Sequence, residues 1–289
     1  MSLYPIILNQ NNADPNGDTS KYIYRFNRGS IQFKSKKAKV GLQKLNLFYS
    51  WRNIDRALYN NNDFKLIFPD GTVNTFTEYS LSIPDGNYTV DDLNKWLQSW
   101  FVSNRLYLIN ATTGAFRYFY EILTNANTYK VQLVSHDVPA VLPSGFNLPP
   151  GGFGNGFPSQ TLQQPTLVIL PFDQSNFGKL IGFSQGGYFD AVSNLIPELN
   201  PCPNVVVTCS LANGGKFTNP SDIIYSFVTG SNAYGSMLNI EPQNIVFHNI
   251  PSGVYHEVVV QFFNGQTFKK LPIIDTQISI HLIVQIEED

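Results

Sequence analysis

The chain has 289 residues and a net charge of −2, with charged residues at 14 % and aromatics at 14 %. That is a composition of packed sheets rather than of long solvated helices, and thirty asparagines against ten alanines weigh further against a helical protein. No global positive field is available to attract nucleic acid, and the longest apolar runs, such as Leu167-Val168-Ile169-Leu170, fall far short of the roughly 20 residues of a membrane helix. The start, Met1-Ser2-Leu3-Tyr4-Pro5, has neither a basic nor a long apolar region, so no signal peptide is predicted. Cys202 and Cys209 make no disulfide framework, and synthesis in the cytosol is expected.

Residues 1–20 are polar after a short apolar start and read as an extended arm. Tyr22, Tyr24 and Phe26 then alternate with polar residues, as a strand does. In 39–50 the apolar phase changes between Val40/Leu42 and Leu45/Leu47/Tyr49, which predicts a β-bulge at Gln43-Lys44. Lys34-Ser35-Lys36-Lys37-Ala38-Lys39, the one basic cluster, reads as a solvated strand entry. Phe64, Leu66 and Phe68 alternate, Pro69-Asp70-Gly71 turns the chain, and Tyr79, Leu81 and Ile83 alternate again: a hairpin. After Pro84-Asp85-Gly86-Asn87 comes the one clear helix. Thr89 is placed to cap it against Asp92, and Leu93, Trp96, Leu97 and Trp100 fall on one face.

Strands are predicted at 116–122 and 129–135, before a long Gly/Pro segment at 143–165 that carries Phe146, Phe153 and Phe157. A loop of that length is functional or mobile as a rule, and its phenylalanines either pack beneath it or dock on a neighbour. Phe177-Gly178-Lys179-Leu180-Ile181-Gly182-Phe183 reads as a short helix or turn closed by glycine. Further strands are predicted at 166–171, 204–211, 223–228, 244–249, 254–263 and 277–286. Some ten strands, one helix and no βαβ rhythm predict an all-β antiparallel β-sandwich, most simply a jelly roll over residues 21–289. The chain is longer than a minimal roll needs, and residues 136–203 are the expected insertion or long loops.

Chemistry is sparse. His136, His248, His256 and His281 form no His-x-His or His-Glu-x-x-His pair, and His256, on an apolar strand face beside Glu257, reads as a hydrogen-bonded core histidine. There is no Gly-x-Ser-x-Gly elbow. Asp91-Asp92 is explained by the helix start, and Glu287-Glu288-Asp289 by a soluble terminus. No catalytic residue, cofactor or metal is predicted.

The order of several segments resembles a known family. Ile83-Pro84-Asp85-Gly86-Asn87-Tyr88-Thr89 followed by Asp92-Leu93 and a helix is similar to the proline–glycine–tyrosine-then-helix element of capsid proteins from the adenovirus-like, double-stranded DNA lineage. Lys179-Leu180-Ile181-Gly182-Phe183 resembles their Leu-Gly-Phe turn. Ile223-Ile224-Tyr225-Ser226-Phe227 and Asp275-Thr276-Gln277-Ile278-Ser279-Ile280-His281-Leu282 resemble their closing strands. Over about residues 20–287 the chain resembles the penton (minor capsid) proteins of virophages and Maverick/Polinton elements.

The resemblance implies a single jelly roll in a virion, with five copies closing each five-fold vertex of an icosahedral capsid assembled inside the host cell. Its partners would be itself, as a homopentamer, and a double-jelly-roll major capsid protein. Tyr4, Ile6 and Ile7 in the arm, with Phe146, Phe153 and Phe157 in the loop, are the expected partner contacts. The arm read without the resemblance is a disordered tail. Two other classes stand beside this one. One is a carbohydrate-binding module that stacks sugars on Trp51, Tyr107 or Tyr118, and the other is a jelly-roll enzyme, which the missing metal constellation disfavours.

Overall fold

The computed structural model describes residues 1–33, 38–71, 75–154, 156–158, 163–212 and 222–287. Lys34–Lys37 of the basic cluster, the tip of the predicted hairpin, part of the Gly/Pro segment and the terminal Glu288-Asp289 lie outside these residues. The chain forms two compact units, residues 1–51 with 202–289, and residues 52–201.

The first unit is built on eight main strands: β1 (Ser2–Asn9), β2 (Lys21–Arg25), β3 (Ala38–Phe48), β4 (Asn204–Cys209), β5 (Ile223–Val228), β6 (Met237–Ile240), β7 (Glu257–Asn264) and β8 (Ser279–Ile286). They form two antiparallel sheets, ordered β1-β8-β3-β6 and β2-β7-β4-β5. The first strand therefore pairs with the last, the second with the seventh, the third with the sixth and the fourth with the fifth. One long hairpin wrapped round a core has that pairing, and it defines a jelly roll. His248–Asn249 extends the first sheet beside β3, and Ile31–Phe33 pairs with Gly253–Tyr255.

Alternation explains the core. Ile6 and Leu8 of β1, Val40, Leu42, Leu45 and Leu47 of β3, and Ile280, Leu282 and Val284 of β8 are buried from one sheet. Tyr22, Val205, Val207, Phe227, Val258, Val260 and Phe262 meet them from the other. The expected bulge is present. His281 pairs with Lys44 and Leu282 with Leu42, so Gln43 is the extra residue that lets Leu42 and Leu45 both point inward.

Four expectations change. Residues 2–9 are not a free arm: β1 pairs along its whole length with β8. The strand expected at 244–249 shrinks to His248–Asn249, and the sixth strand is Met237–Ile240, paired to Leu45–Phe48. The run 254–263 breaks at His256. Val258, Val260 and Phe262 turn inward while Val254 and His256 are exposed, so His256 is not a core residue. Finally, the roll comprises 1–51 and 202–289, and the inserted unit is 52–201 rather than 136–203.

The inserted unit has its own core, built from Phe64, Leu66, Phe68, Leu93, Leu97, Phe101, Phe119, Tyr120, Leu167, Ile169 and Phe183 among others. The hairpin Asp63–Pro69/Phe76–Ser82 joins Thr166–Ile169 and Gly186–Tyr188 in a four-stranded sheet. Two three-stranded sheets accompany it: Ala191–Val192, Lys130–Ser135 and Tyr120–Asn125, and Phe146–Asn147, Leu108–Asn110 and Phe116–Arg117. The predicted helix is α1 (Val90–Ser103), which buries Val90, Leu93, Leu97 and Phe101. A second, five-residue helix, α2 (Phe177–Ile181), ends in left-handed Gly182.

Candidate functional site

Among the described residues, no group of three His, Cys, Asp or Glu side chains converges to hold a metal ion. The four histidines have separate neighbours. His136 Nε2 lies 3.6 Å from Glu121 Oε2, His256 Nδ1 is 3.0 Å from the Gly29 carbonyl oxygen, and His281 Nε2 is 2.8 Å from Ser279 Oγ. His248 Nε2 is buried without a partner among the described residues. The cysteines are poor nucleophiles: burial pushes both thiols up to about 12.

The residues expected to meet partners fall into two groups. β1 ends its sheet, so its outer edge is unpaired among the described residues. Ser2-Leu3-Tyr4-Pro5-Ile6-Ile7-Leu8-Asn9 contains no charged side chain. The β1–β8 ladder turns Ile6 and Leu8 into the core and leaves Leu3, Tyr4 and Ile7 exposed, Tyr4 by 51 % and Ile7 by 47 %. Tyr4 and Ile7 are thus on the surface and Ile6 is not. Met1, just before the strand, is exposed as well.

The three loop phenylalanines pack against the inserted unit's own core. The Phe153 ring lies 6.3 Å from Phe68 and 5.9 Å from Phe119, and Phe157 stacks on Phe153 at 4.9 Å. Phe146 is half-buried, with the Arg117 guanidinium 5.5 Å above its ring. These contacts account for all three rings within their own unit. Of the aromatics expected as a sugar platform, Trp51 is buried in the roll beside Tyr49 and Phe227, Tyr107 is also buried, and Tyr118 lines a surface pocket.

The segments that carried the family resemblance each have a structural job. Asn53, which the sequence did not flag, clamps the Pro84–Thr89 turn. It donates to the Tyr88 carbonyl at 2.8 Å and accepts from the Tyr88 N–H at 2.9 Å. Gly86 exchanges two backbone hydrogen bonds with Ile54, and a Cβ there would meet the Tyr88 ring at 2.7 Å. Gly182 has φ +81°, and a Cβ would stand 2.7 Å from the Leu195 carbonyl oxygen, so the Ile181-Gly182-Phe183 turn requires glycine. The closing strands are β5 and β8, the pairing partners of β4 and of β1 and β3.

No protein-family model and no curated protein sequence matches the chain. Among solved structures, the selenomethionine-labelled mavirus penton protein is similar over 99 % of this chain and 99 % of its own, with 10 % sequence identity and a TM-score of 0.45.

Proposed function

We propose that this chain is a structural capsid protein of a virion, a penton whose five copies close the five-fold vertices of an icosahedral shell beside a double-jelly-roll major capsid protein. The observation that carries this reading is the unprotected first strand. Natural sheet edges are blunted by charges, bulges or covering segments, and a long, uncharged, apolar edge is a template for association. Here Pro5 removes one backbone donor, and among the described residues Leu3, Tyr4 and Ile7 stay exposed. A closed ring is a heterologous contact repeated by rotation, and such an edge supplies one of its two faces. The ordered set of segments resembling penton proteins supports the five-fold form, and the jelly-roll pairing agrees with it.

The test is the native mass of the full chain over a range of concentration and salt, with electron micrographs of the largest species. A closed five-fold ring is expected. The double variant Tyr4→Glu/Ile7→Glu is expected to stay monomeric with an unchanged melting temperature, because both side chains already face solvent. A chain that remains monomeric at every concentration removes the homopentamer, and a ring indifferent to the double variant removes β1 from its interface.

A further inference from the structure

In the inserted unit a pocket of about 470 Å³ opens beside the sheet of Phe146–Asn147, Leu108–Asn110 and Phe116–Arg117. Its lining includes Phe116, Arg117, Tyr118, Glu121, His136 and Phe146. The volume lies within the usual range of small-molecule sites.

Arg117 is the group that calls for a ligand. Its guanidinium carbon stands 5.5 Å from the Phe146 ring centre and 5.9 Å from that of Phe119, so two rings hold it in place. Yet among the described residues no carboxylate or carbonyl oxygen pairs with it. A guanidinium positioned this way keeps its planar fork of N–H donors for a bidentate acceptor, and a carboxylate matches that geometry. In the same pocket Glu121 and His136 stand 3.6 Å apart, both partly exposed, and offer an acceptor and a ring nitrogen to hydroxyl groups. Phe116, 47 % exposed, and the half-buried Tyr118 add aromatic surface for the C–H face of a sugar ring. A neutral sugar would leave the cation unmatched, and a simple carboxylate would use the cation alone.

We propose that this pocket binds a carboxylate-bearing sugar, a uronic or sialic acid residue of a glycan. Arg117 takes the carboxylate, Glu121 and His136 take ring hydroxyls, and an aromatic face supports the ring. The site belongs to the inserted unit and does not depend on how the roll assembles.

The test uses the full chain with four probes, glucuronic acid, N-acetylneuraminic acid, glucose and acetate, followed by saturation-transfer NMR and calorimetry. At least one of the two acidic sugars is expected to bind about ten-fold or more tightly than both glucose and acetate. Arg117→Gln is expected to abolish that preference, Arg117→Lys to keep part of it, and Glu121→Gln to weaken the sugars without touching acetate. Melting temperatures show that each variant is folded; should Arg117→Gln be unstable, Arg117→Lys and Glu121→Gln make the same comparison. Acetate binding as tightly as the better of the two acidic sugars overturns the sugar assignment. So does binding of neither acidic sugar, or a preference that survives Arg117→Gln or is undiminished by Arg117→Lys.

Discussion

Asn53 and Tyr22 are both buried polar side chains, and they make opposite statements about stability. Asn53 spends both amide hydrogens on the carbonyls of Tyr88 and Leu199, at 2.8 and 2.9 Å, and its oxygen on the Tyr88 N–H. Asn53→Ala strips partners from three backbone groups at once. Each group left unsatisfied in a buried place costs about 1–3 kcal/mol, so chemical denaturation of the variant should show a loss of at least about 2 kcal/mol. A smaller loss would mean that water reaches the turn. Tyr22 is packed edge-on to Phe262 at 6.0 Å, burial pushes its phenol up to about 12, and its hydroxyl has no partner among the described residues. Tyr22→Phe removes that orphan and keeps the ring, so the same measurement should find it neutral or more stable by up to about 1 kcal/mol. A clear loss would reveal a partner for the hydroxyl.

The elements that the sequence displayed best are those whose cause is local. The start of α1 is a capping box: the Asp92 N–H donates to Thr89 Oγ1 at 3.2 Å, and the Thr89 N–H donates to Asp92 Oδ2 at 3.0 Å. Hydrogen bonds from the Thr89 hydroxyl and N–H hold the Asp92 carboxyl below its ordinary 3.8. A carboxyl depressed in the folded state adds stability above its unfolded pKa and loses it as pH falls through the folded value. The stability gap between the parent and Asp92→Ala should therefore be full at neutral pH and shrink as the pH drops below about 4. A gap that is flat over that range would show that the carboxylate does not serve the cap. Thr89→Ala should cost about 1 kcal/mol at neutral pH. Gln43 was legible for the same reason, since a bulge announces itself as a phase change within a few residues. β1 and β6 were not. Met237–Ile240 buries only Leu238, and it is a strand because β3 lies opposite with Leu45–Phe48. Ser2–Asn9 is a strand because β8 pairs with it from nearly the other end of the chain. Long-range pairing leaves no local mark, and the same holds for the site: Arg117, Glu121, His136 and Phe146 share one pocket that their spacing does not disclose.

At the scale of the whole molecule, the boundaries of the insertion were hidden because one of them is unmarked. Pro201-Cys202-Pro203 punctuates its end, but Tyr49-Ser50-Trp51-Arg52-Asn53 carries neither Pro nor Gly where the first unit hands over to the second. What separates the units is the ownership of their cores. Every residue of the roll's cluster lies within 1–51 or 202–289, and every residue of the other lies within 52–201. A unit with a complete core and its own sheets has the attributes of a domain able to fold alone. The roll is less free, because β3 precedes the insertion and β4 follows it, so its sheets close only when both ends of the chain are present. Residues 52–201 expressed by themselves should unfold cooperatively, with near-UV dichroism from Trp96 and Trp100 lost in one transition. In the full chain the roll has its own reporter, since Cys202 and Cys209 are both buried there with thiols pushed up to about 12. Reaction with a thiol reagent should wait until the roll opens. If the isolated unit shows no cooperative transition, its core is not self-sufficient, and the insertion folds only on the template of the roll that carries it.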